Sequence, residues 1–141
     1  IPTGPFFNCG CLAGAIGQAL GRVGCFLVGD DYGRPTDGPF GIAFPQGAPP
    51  TLDRVHPTQL YESAWLFAVT AFLWARRERS PRLWAEYLML AGVGRFAVEF
   101  LRVNPRVVFG LSEAQIISLA IFTVGASSWL HARRAMAVSV A

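Results

Sequence analysis

Lysine is absent from the 141 residues, and charged residues of either sign are scarce at 15% of the chain. All 12 basic residues are therefore arginines, and with nine acidic residues they set a formal net charge of +3. Most of these arginines lie inside or beside apolar stretches, which argues against a nucleic-acid-binding protein. Cysteine is also rare, and Cys9, Cys11 and Cys25 show no repeated C-x-x-C or histidine spacing. Small buried thiols are therefore expected, rather than a disulfide framework or a metal site.

Apolar residues, by contrast, are abundant: they make up 52% of the chain, and the mean hydropathy is +0.39. A membrane-spanning helix needs roughly 20 predominantly apolar residues. Four stretches qualify, at residues 5–28, 57–75, 83–101 and 114–130. The sequence predicts an all-α, polytopic membrane helix bundle with about four transmembrane helices, in a single domain over residues 1–141. A soluble bundle is the alternative, disfavoured because the second and fourth stretches lack a polar stripe.

The connections between these stretches predict an orientation in the membrane. Arginines cluster after the second stretch and after the fourth, and positive residues close to a span are retained in the cytoplasm. The long segment 29–56 carries four aspartates against two arginines and is crowded with glycine and proline. It is expected to be an extracytoplasmic loop, with the C-terminus on the cytoplasmic side.

Polar residues inside the four stretches are predicted to meet at one depth. At 1.5 Å per residue, Arg22 and Arg95 each lie roughly 9 Å below the outer boundary, and Glu62 and Ser118 fall in the same layer. An intramembrane charge costs on the order of 2.5 to 3.5 kcal/mol, so a function is expected for these groups. Purely structural pairing along the third helix, among Arg95, Glu99 and Arg102, is the alternative.

Three strings carry a resemblance to a known family: G-R-V-G-C-F-L-V-G-D-D-Y-G at 21–33, H-P-T-Q-L-Y-E at 56–62 and G-R-F-A-V-E-F-L-R at 94–102. Together with an L-S-x-x-Q-x-x-S pattern at 111–118, they resemble prolipoprotein diacylglyceryl transferase, an enzyme of the bacterial cytoplasmic (inner) membrane. The resemblance implies transfer of the diacylglyceryl group of phosphatidylglycerol to the thiol of the lipobox cysteine in a preprolipoprotein. Glycerol phosphate would be released, and no cofactor is implied.

That chemistry assigns expected roles to the polar residues. Arg22 and Arg95 are predicted to clamp the lipid phosphate, because a guanidinium group binds phosphate through two parallel hydrogen bonds. His56 is predicted to act as a base or headgroup contact, the alternative being a hydrogen bond to the long loop at the start of the second helix. The further substrate-binding predictions are Arg102, Glu99, Gln59, Tyr61, Glu62, Asp30, Gln115 and Ser118. Close packing or a tight turn is predicted at Gly21, Gly24, Gly29 and Gly33.

The departures from the family pattern keep a second function open. The resemblance covers roughly the four C-terminal spans of a pattern with about seven, and residues 1–20 lack its His-Gly-Gly segment. The chain is therefore expected to be a piece of a longer protein. Cys25 stands where better-known members carry Asn, Asp30 where they carry Glu, and Ala91 where a Tyr precedes the arginine motif. The alternative is a non-catalytic phospholipid-binding protein or an inactive truncated homologue; a small anion transporter is disfavoured because no inverted repeat relates the two halves.

Overall fold

The computed structural model describes residues 3–80 and 82–140 and consists mainly of four helices. In chain order the elements are α1 (Thr3–Val28), β1 (Ile42–Phe44), β2 (Thr51–Val55), α2 (Thr58–Arg76), α3 (Leu83–Val98), a 3-10 turn (Glu99–Leu101) and α4 (Glu113–Val140). The predominantly helical prediction is confirmed.

Two of these helices are long and apolar enough to cross a membrane, Gly4–Val28 and Glu113–Ser139. The 16 residues of α3 extend about 24 Å. The 3-10 turn that follows adds about 6 Å, which brings this segment to the roughly 30 Å of a bilayer core. Membrane spanning by α2 and α3 stays a prediction.

The all-α prediction is wrong for the long loop, because β1 and β2 pair there as an antiparallel hairpin. Ile42 pairs with Val55 and Phe44 with Thr51. Prolines and glycines break up any helical pattern in this loop, whereas T-L-D-R-V at 51–55 is compatible with a short strand.

The fourth helix also differs from its prediction, since it continues ten residues beyond Leu130 to Val140. The apolar pattern marks residues 114–130, the part of the helix suited to a lipid environment. The helix continues through 131–140 because no proline or glycine interrupts it there.

Consecutive helices run antiparallel, so the bundle has two distinct ends. Near one end the hydrophobic core joins α1, α2 and α3 through Cys11, Val69, Leu73 and Leu83. We call this end, with the connection 76–82 and the C-terminal part of α4, the arginine end. The opposite end carries the hairpin loop and the connection from Arg102 to Ser112, and we call it the loop end.

Close helix packing uses different glycines from those expected. A Cβ added at Gly92 would lie 2.9 Å from the Ser118 carbonyl oxygen, and one at Gly125 would lie 2.8 Å from that of Ala85, so α3 and α4 approach closely at both. Gly21 and Gly24 face open space within the described part of the chain, so the packing prediction is wrong for them. They lie on a helix face that no other described element covers.

The loop is held tightly against the end of α3. The Gly33 amide donates to the His56 carbonyl at 2.9 Å, and the Arg34 amide donates to the Leu101 carbonyl at 2.8 Å. A Cβ at Gly33 would lie 2.6 Å from that same Leu101 oxygen. Gly29 turns the chain out of α1 at φ +77°, which favours glycine. The tight-turn prediction therefore holds for Gly29 and the close-packing prediction for Gly33.

Candidate functional site

A cavity of about 350 Å³ lies between the four helices toward the loop end. Each helix contributes to it, so the site exists only in the assembled bundle. Its lining residues are Gln18, Arg22, Glu62, Trp65, Leu66, Ala91, Gly92, Arg95, Ala114, Ile117, Ser118 and Ile121. The four side chains predicted to share one depth, Arg22, Glu62, Arg95 and Ser118, all line this cavity.

Glu62 joins the two arginines of the cavity. Its Oε2 lies 3.0 Å from Arg22 Nε and 3.5 Å from Arg95 Nη1. The Glu62 side chain is 8% exposed, against 23% for Arg22 and 26% for Arg95. A buried carboxylate between two partly open guanidinium groups keeps both positive charges beside the cavity.

Asp31 forms a second bridge between arginines, one that the sequence analysis missed. Its carboxylate lies 3.0 Å from Arg22 Nη1 and 2.5 Å from Arg102 Nη2. The Asp31 carbonyl also accepts a hydrogen bond from Thr58 Oγ1 at 2.9 Å. Asp31 therefore connects the end of α1, the start of α2 and the segment after α3. In the sequence, Asp31 is marked as a candidate only by its place in the 21–33 motif, directly after the predicted contact Asp30.

The two arginines beside Asp31 also change its acidity. Partial burial acts to raise the pKa of the Asp31 carboxyl, but the charge of Arg102, together with the hydrogen bond and charge of Arg22, outweighs it. The net effect is a pKa below the ordinary 3.8. Asp31 has a φ of 58°, in the left-handed region that aspartate tolerates better than most residues.

Glu99 is the third carboxylate of the network. Its side chain is fully buried, and its Oε2 lies 3.2 Å from Arg95 Nη2. Asn104 Nδ2 donates to the other carboxylate oxygen at 2.5 Å. The predicted proximity of Arg95 and Glu99 is confirmed, whereas Arg102 pairs with Asp31 instead of continuing the series along α3.

The network is formally neutral, because three arginines (Arg22, Arg95 and Arg102) face three carboxylates (Asp31, Glu62 and Glu99). Of the structural pairing expected along the third helix, the Arg95–Glu99 contact is present, whereas Arg102 pairs with Asp31 of the loop. Each guanidinium group nevertheless carries five N–H donors. Within residues 3–80 and 82–140, Arg22 Nη2 and Arg95 Nε donate no hydrogen bond.

His56 lies outside this arrangement. Among the described residues it is not part of the cavity lining, and its Nδ1 lies 3.4 Å from the hydroxyl of Tyr61. Its backbone amide donates to the Arg34 carbonyl at 3.1 Å, and its carbonyl accepts from Gly33. These contacts correspond to the alternative expected for His56, a tie to the long loop at the start of the second helix.

The predicted contacts Gln59 and Asp30 meet each other. Gln59 Nε2 donates to the Asp30 carbonyl at 2.5 Å, so this buried amide attaches the loop to α2. The Asp30 carboxylate is near the thiol of Cys25, and with Asp31 these residues place three metal-ligand atoms within 4.8 Å of one another. Two guanidinium groups already occupy the Asp31 carboxylate, and their charge opposes a cation there.

The cysteines differ from one another in burial. Cys11 is buried, Cys25 is intermediate and Cys9 is exposed, and all three are free thiols. The expectation of a buried thiol is therefore wrong for Cys9, which lies on a face of α1 that no other described element covers.

The L-S-x-x-Q string forms the start of α4. The Gln115 amide donates to Ser112 Oγ at 3.3 Å, and Gln115 Oε1 accepts from the Ser112 amide at 3.1 Å. This reciprocal pair is a capping box, which satisfies free N–H groups at a helix start. Arg106 Nη1 donates to the same Gln115 oxygen at 2.9 Å. The substrate-binding role of Gln115 stays a prediction, and so do the roles of the other site residues.

The chain is a mainly helical protein with two helices long and apolar enough to span a membrane and an arginine-lined cavity toward the loop end. The sequence model of a family described as Prolipoprotein diacylglyceryl transferase matches residues 1–131. The chain belongs to this family.

Three relatives illustrate the similarity, each carrying the name phosphatidylglycerol--prolipoprotein diacylglyceryl transferase. The Clostridium tetani protein is 44% identical over 116 residues, which are 79% of this chain and 47% of the relative. The Gloeobacter violaceus protein is 37% identical over 85% of this chain and 49% of its own length. The Fervidobacterium nodosum protein is 36% identical over 82% of this chain and 42% of its own length. The chain thus spans about half the length of the curated relatives it matches. No solved structure matches it.

Proposed function

We propose that this chain forms the phosphate-binding part of a phosphatidylglycerol--prolipoprotein diacylglyceryl transferase in the bacterial cytoplasmic membrane. The observation that carries the proposal is the cavity in which Arg22 and Arg95 share the carboxylate of Glu62. The names of the relatives supply the two substrates, phosphatidylglycerol and a prolipoprotein. The expected protein substrate is the lipobox segment of a preprolipoprotein.

The reaction requires stabilisation of a departing phosphate. The cysteine sulfur forms a bond to the glycerol carbon of the diacylglyceryl group, and the bond from that carbon to the phosphate oxygen breaks with its electron pair. The thiol proton passes to a base, and glycerol phosphate leaves. Negative charge grows on the phosphate as the bond breaks, so guanidinium donors placed there accelerate the step. Arg22 Nη2 and Arg95 Nε are the donors that remain open for it.

An apolar groove next to the cavity suits the rest of the lipid. It measures about 410 Å³, runs between α3 and α4, and includes Phe96, Phe100, Leu119 and Phe122. Gly92 and Ser118 line both the groove and the cavity. A phospholipid with its phosphate at the arginines would therefore have an apolar path for an acyl chain immediately beside it. Burial of each methylene contributes about 0.8 kcal/mol.

His56 is the candidate base of the proposal, because imidazole is the side chain that most often serves as a general base. Its position beside Tyr61 and the loop makes it a contact at the rim of the site. We propose that His56, Tyr61 and Gln59 position the loop over the cavity, with Arg102 and Glu99 orienting Arg22 and Arg95. Direct substrate contacts by Asp30, Gln115 and Ser118 are proposed as well.

A phospholipid-binding protein without catalysis is the second candidate. It is favoured by the complete pairing of the three arginines with carboxylates, and by the absence of His56 from the described cavity lining. Such a protein would bind phosphatidylglycerol and release it unchanged.

The experiment that separates the two functions uses the protein in its full natural length, reconstituted with phosphatidylglycerol labelled in the acyl chains and a lipobox peptide. A transferase moves the label to the peptide cysteine and releases glycerol phosphate in equal amount. Lipid binding without peptide labelling would contradict the transferase, and a peptide with serine in place of cysteine is the control.

The proposed membrane arrangement places all four helices across the bilayer, with loop 29–56 outside and the C-terminus in the cytoplasm. It is supported by the antiparallel helix order and by the arginines at one end. Cysteine at Leu52, which is 83% exposed, should react with an impermeant reagent in intact cells, and cysteine at Glu78 should not. The exposed Cys9 is first replaced by Ser. The reverse labelling pattern would invert the arrangement.

A further inference from the structure

The excess positive charge of the chain is concentrated at the arginine end. Six arginines lie there against two glutamates, Glu78 and Glu86, which leaves a formal charge of +4. The rest of the chain has six arginines and seven acidic residues, a formal charge of −1. The six arginines are Arg76, Arg77, Arg79, Arg82, Arg133 and Arg134.

Among the residues that the structure describes, two of these arginines pair with neighbouring carboxylates. Arg76 holds Glu86 through two hydrogen bonds of 2.8 Å, and Arg77 pairs with Glu78 at 3.1 Å. The other four, in the described part of the chain, have no carboxylate within ion-pair distance. Four uncompensated guanidinium groups on one end create an attractive potential for an anion.

An apolar groove opens at the same end. It has a volume of about 290 Å³ and lies between α2, α3 and α4, with walls formed by Phe72, Met89, Leu90 and Trp129. The paired side chains of Arg76 and Glu86 complete the lining. Neither the proposed reaction nor the cavity at the loop end uses this groove.

Two of the uncompensated arginines contact the wall of the groove at Trp129 or at the residue before it. Arg133 stacks on the indole ring of Trp129, with 4.8 Å from its guanidinium carbon to the ring centroid. Arg82 Nη1 donates to the carbonyl of Ser128, the residue before Trp129, at 3.3 Å. Two uncompensated cations therefore lie next to the Trp129 wall of an apolar slot, an arrangement that complements a ligand with a negative head and an apolar tail.

We propose that this groove is a binding site for a phospholipid with a net anionic headgroup. One acyl chain occupies the slot beside Met89 and Trp129, and the net negative headgroup faces Arg82 and Arg133. An acidic protein would not need the apolar slot, whereas a neutral lipid would not need the uncompensated charge. The site is independent of the proposed transfer reaction.

The test measures headgroup preference by native mass spectrometry. The full-length protein is equilibrated in micelles that contain equal amounts of phosphatidylserine and phosphatidylcholine with identical acyl chains. Phosphatidylserine is chosen because it is not the proposed substrate. At about 1 kcal/mol per arginine, or roughly a fivefold effect each, the parent should retain phosphatidylserine at least about fivefold over phosphatidylcholine.

Paired charge variants locate the preference. Arg82→Gln with Arg133→Gln should bring it to within about twofold of unity, since each arginine contributes about a fivefold effect. The matched control is Arg34→Gln with Arg54→Gln, which also removes two exposed arginines that donate to backbone carbonyls, but at the loop end. The control should keep the parental preference. The proposal would be overturned if both double variants lost the preference for phosphatidylserine equally, or if the parent protein showed no such preference.

A groove variant separates a defined slot from general electrostatic attraction. Met89→Trp fills the slot without changing charge, and should abolish retention of phosphatidylserine while the thermal unfolding midpoint is kept. If that variant fails to fold, Phe72→Ala, which removes a half-exposed wall, serves in its place. Full retention in a folded groove variant would overturn the proposal, and so would a species of twice the protein mass that excludes the lipid.

Discussion

Glu62→Gln is expected to destabilise the protein strongly, because Glu62 is the carboxylate that both cavity arginines share. At 3.0 and 3.5 Å, with an effective dielectric constant of about 20, the gross attractions are roughly 5.5 and 4.7 kcal/mol. Desolvation of Glu62 and repulsion between the arginines offset most of this. Removal of one partner from a buried pair costs about 3–5 kcal/mol. Since both arginines are partly exposed and each keeps a second carboxylate, we expect about 3 kcal/mol.

The loss should be partly reversed by an added anion. In Glu62→Gln, two guanidinium groups face the cavity with one carboxylate fewer, so glycerol phosphate is expected to bind and replace the missing charge. At ten times its dissociation constant, such a ligand stabilises the folded state by about 1.4 kcal/mol.

The assay is thermal unfolding of the full-length protein in detergent, with and without glycerol phosphate. Glu78→Gln is the matched control, because it makes the same chemical change at a side chain that is 80% exposed, where an ion pair contributes about 0–1 kcal/mol. If Glu62→Gln is no less stable than this control, or gains nothing more from glycerol phosphate, the shared-carboxylate reasoning is refuted.

Three further predictions concern the same network. Arg22→Lys should reduce transfer at least about tenfold in the full-length protein, because an ammonium group cannot replace the Nε and Nη contacts of the planar guanidinium. Near-normal transfer would show that Arg22 only balances the charge of the carboxylates beside it. Replacing both Arg95 and Glu99 by Ala should restore part of the membrane level that Arg95→Ala loses, since no unpaired buried carboxylate remains, but transfer of labelled diacylglyceryl should stay absent. Recovered transfer would remove the phosphate-clamp role of Arg95. Asp31 has a lowered pKa, so its stabilisation is complete above 3.8 and is lost as the pH falls through the lowered value. In the parent protein, the thermal unfolding midpoint should therefore fall as the pH drops below 3.8, and in Asp31→Asn it should fall less steeply. If Asp31→Asn and the control Asp53→Asn show the same dependence of the midpoint on pH, the prediction is contradicted.

The helices were largely predictable because their signals are local. The predicted starts of all four stretches lie within two residues of the starts of α1 to α4. The hairpin was not predicted, since β1 has only three residues and β2 has five. A strand that short has little periodicity of its own and depends on its partner for stability.

The common depth of the cavity residues was predictable from the sequence, but among their charge partners only the Arg95–Glu99 pair was. Helical rise alone brought Arg22, Glu62, Arg95 and Ser118 to one level, because depth along a helix depends only on residue number. Which carboxylate each arginine contacts depends on helix rotation and on the path of the loop. For that reason Asp31 was missed, although it contacts two arginines.

Residue type and order were enough to predict the number of helices, the enrichment of arginine at one end and the family. The packed structure was needed to show that Glu62 bridges two helices, that Asp31 joins Arg22 to Arg102, and that His56 faces Tyr61. These contacts join residues far apart in the chain, and their distances are set by how the four helices and the loop pack together. Charge pairing acts over a few ångströms, so a pattern along the chain specifies it only between neighbours on one helix, as for Arg95 and Glu99.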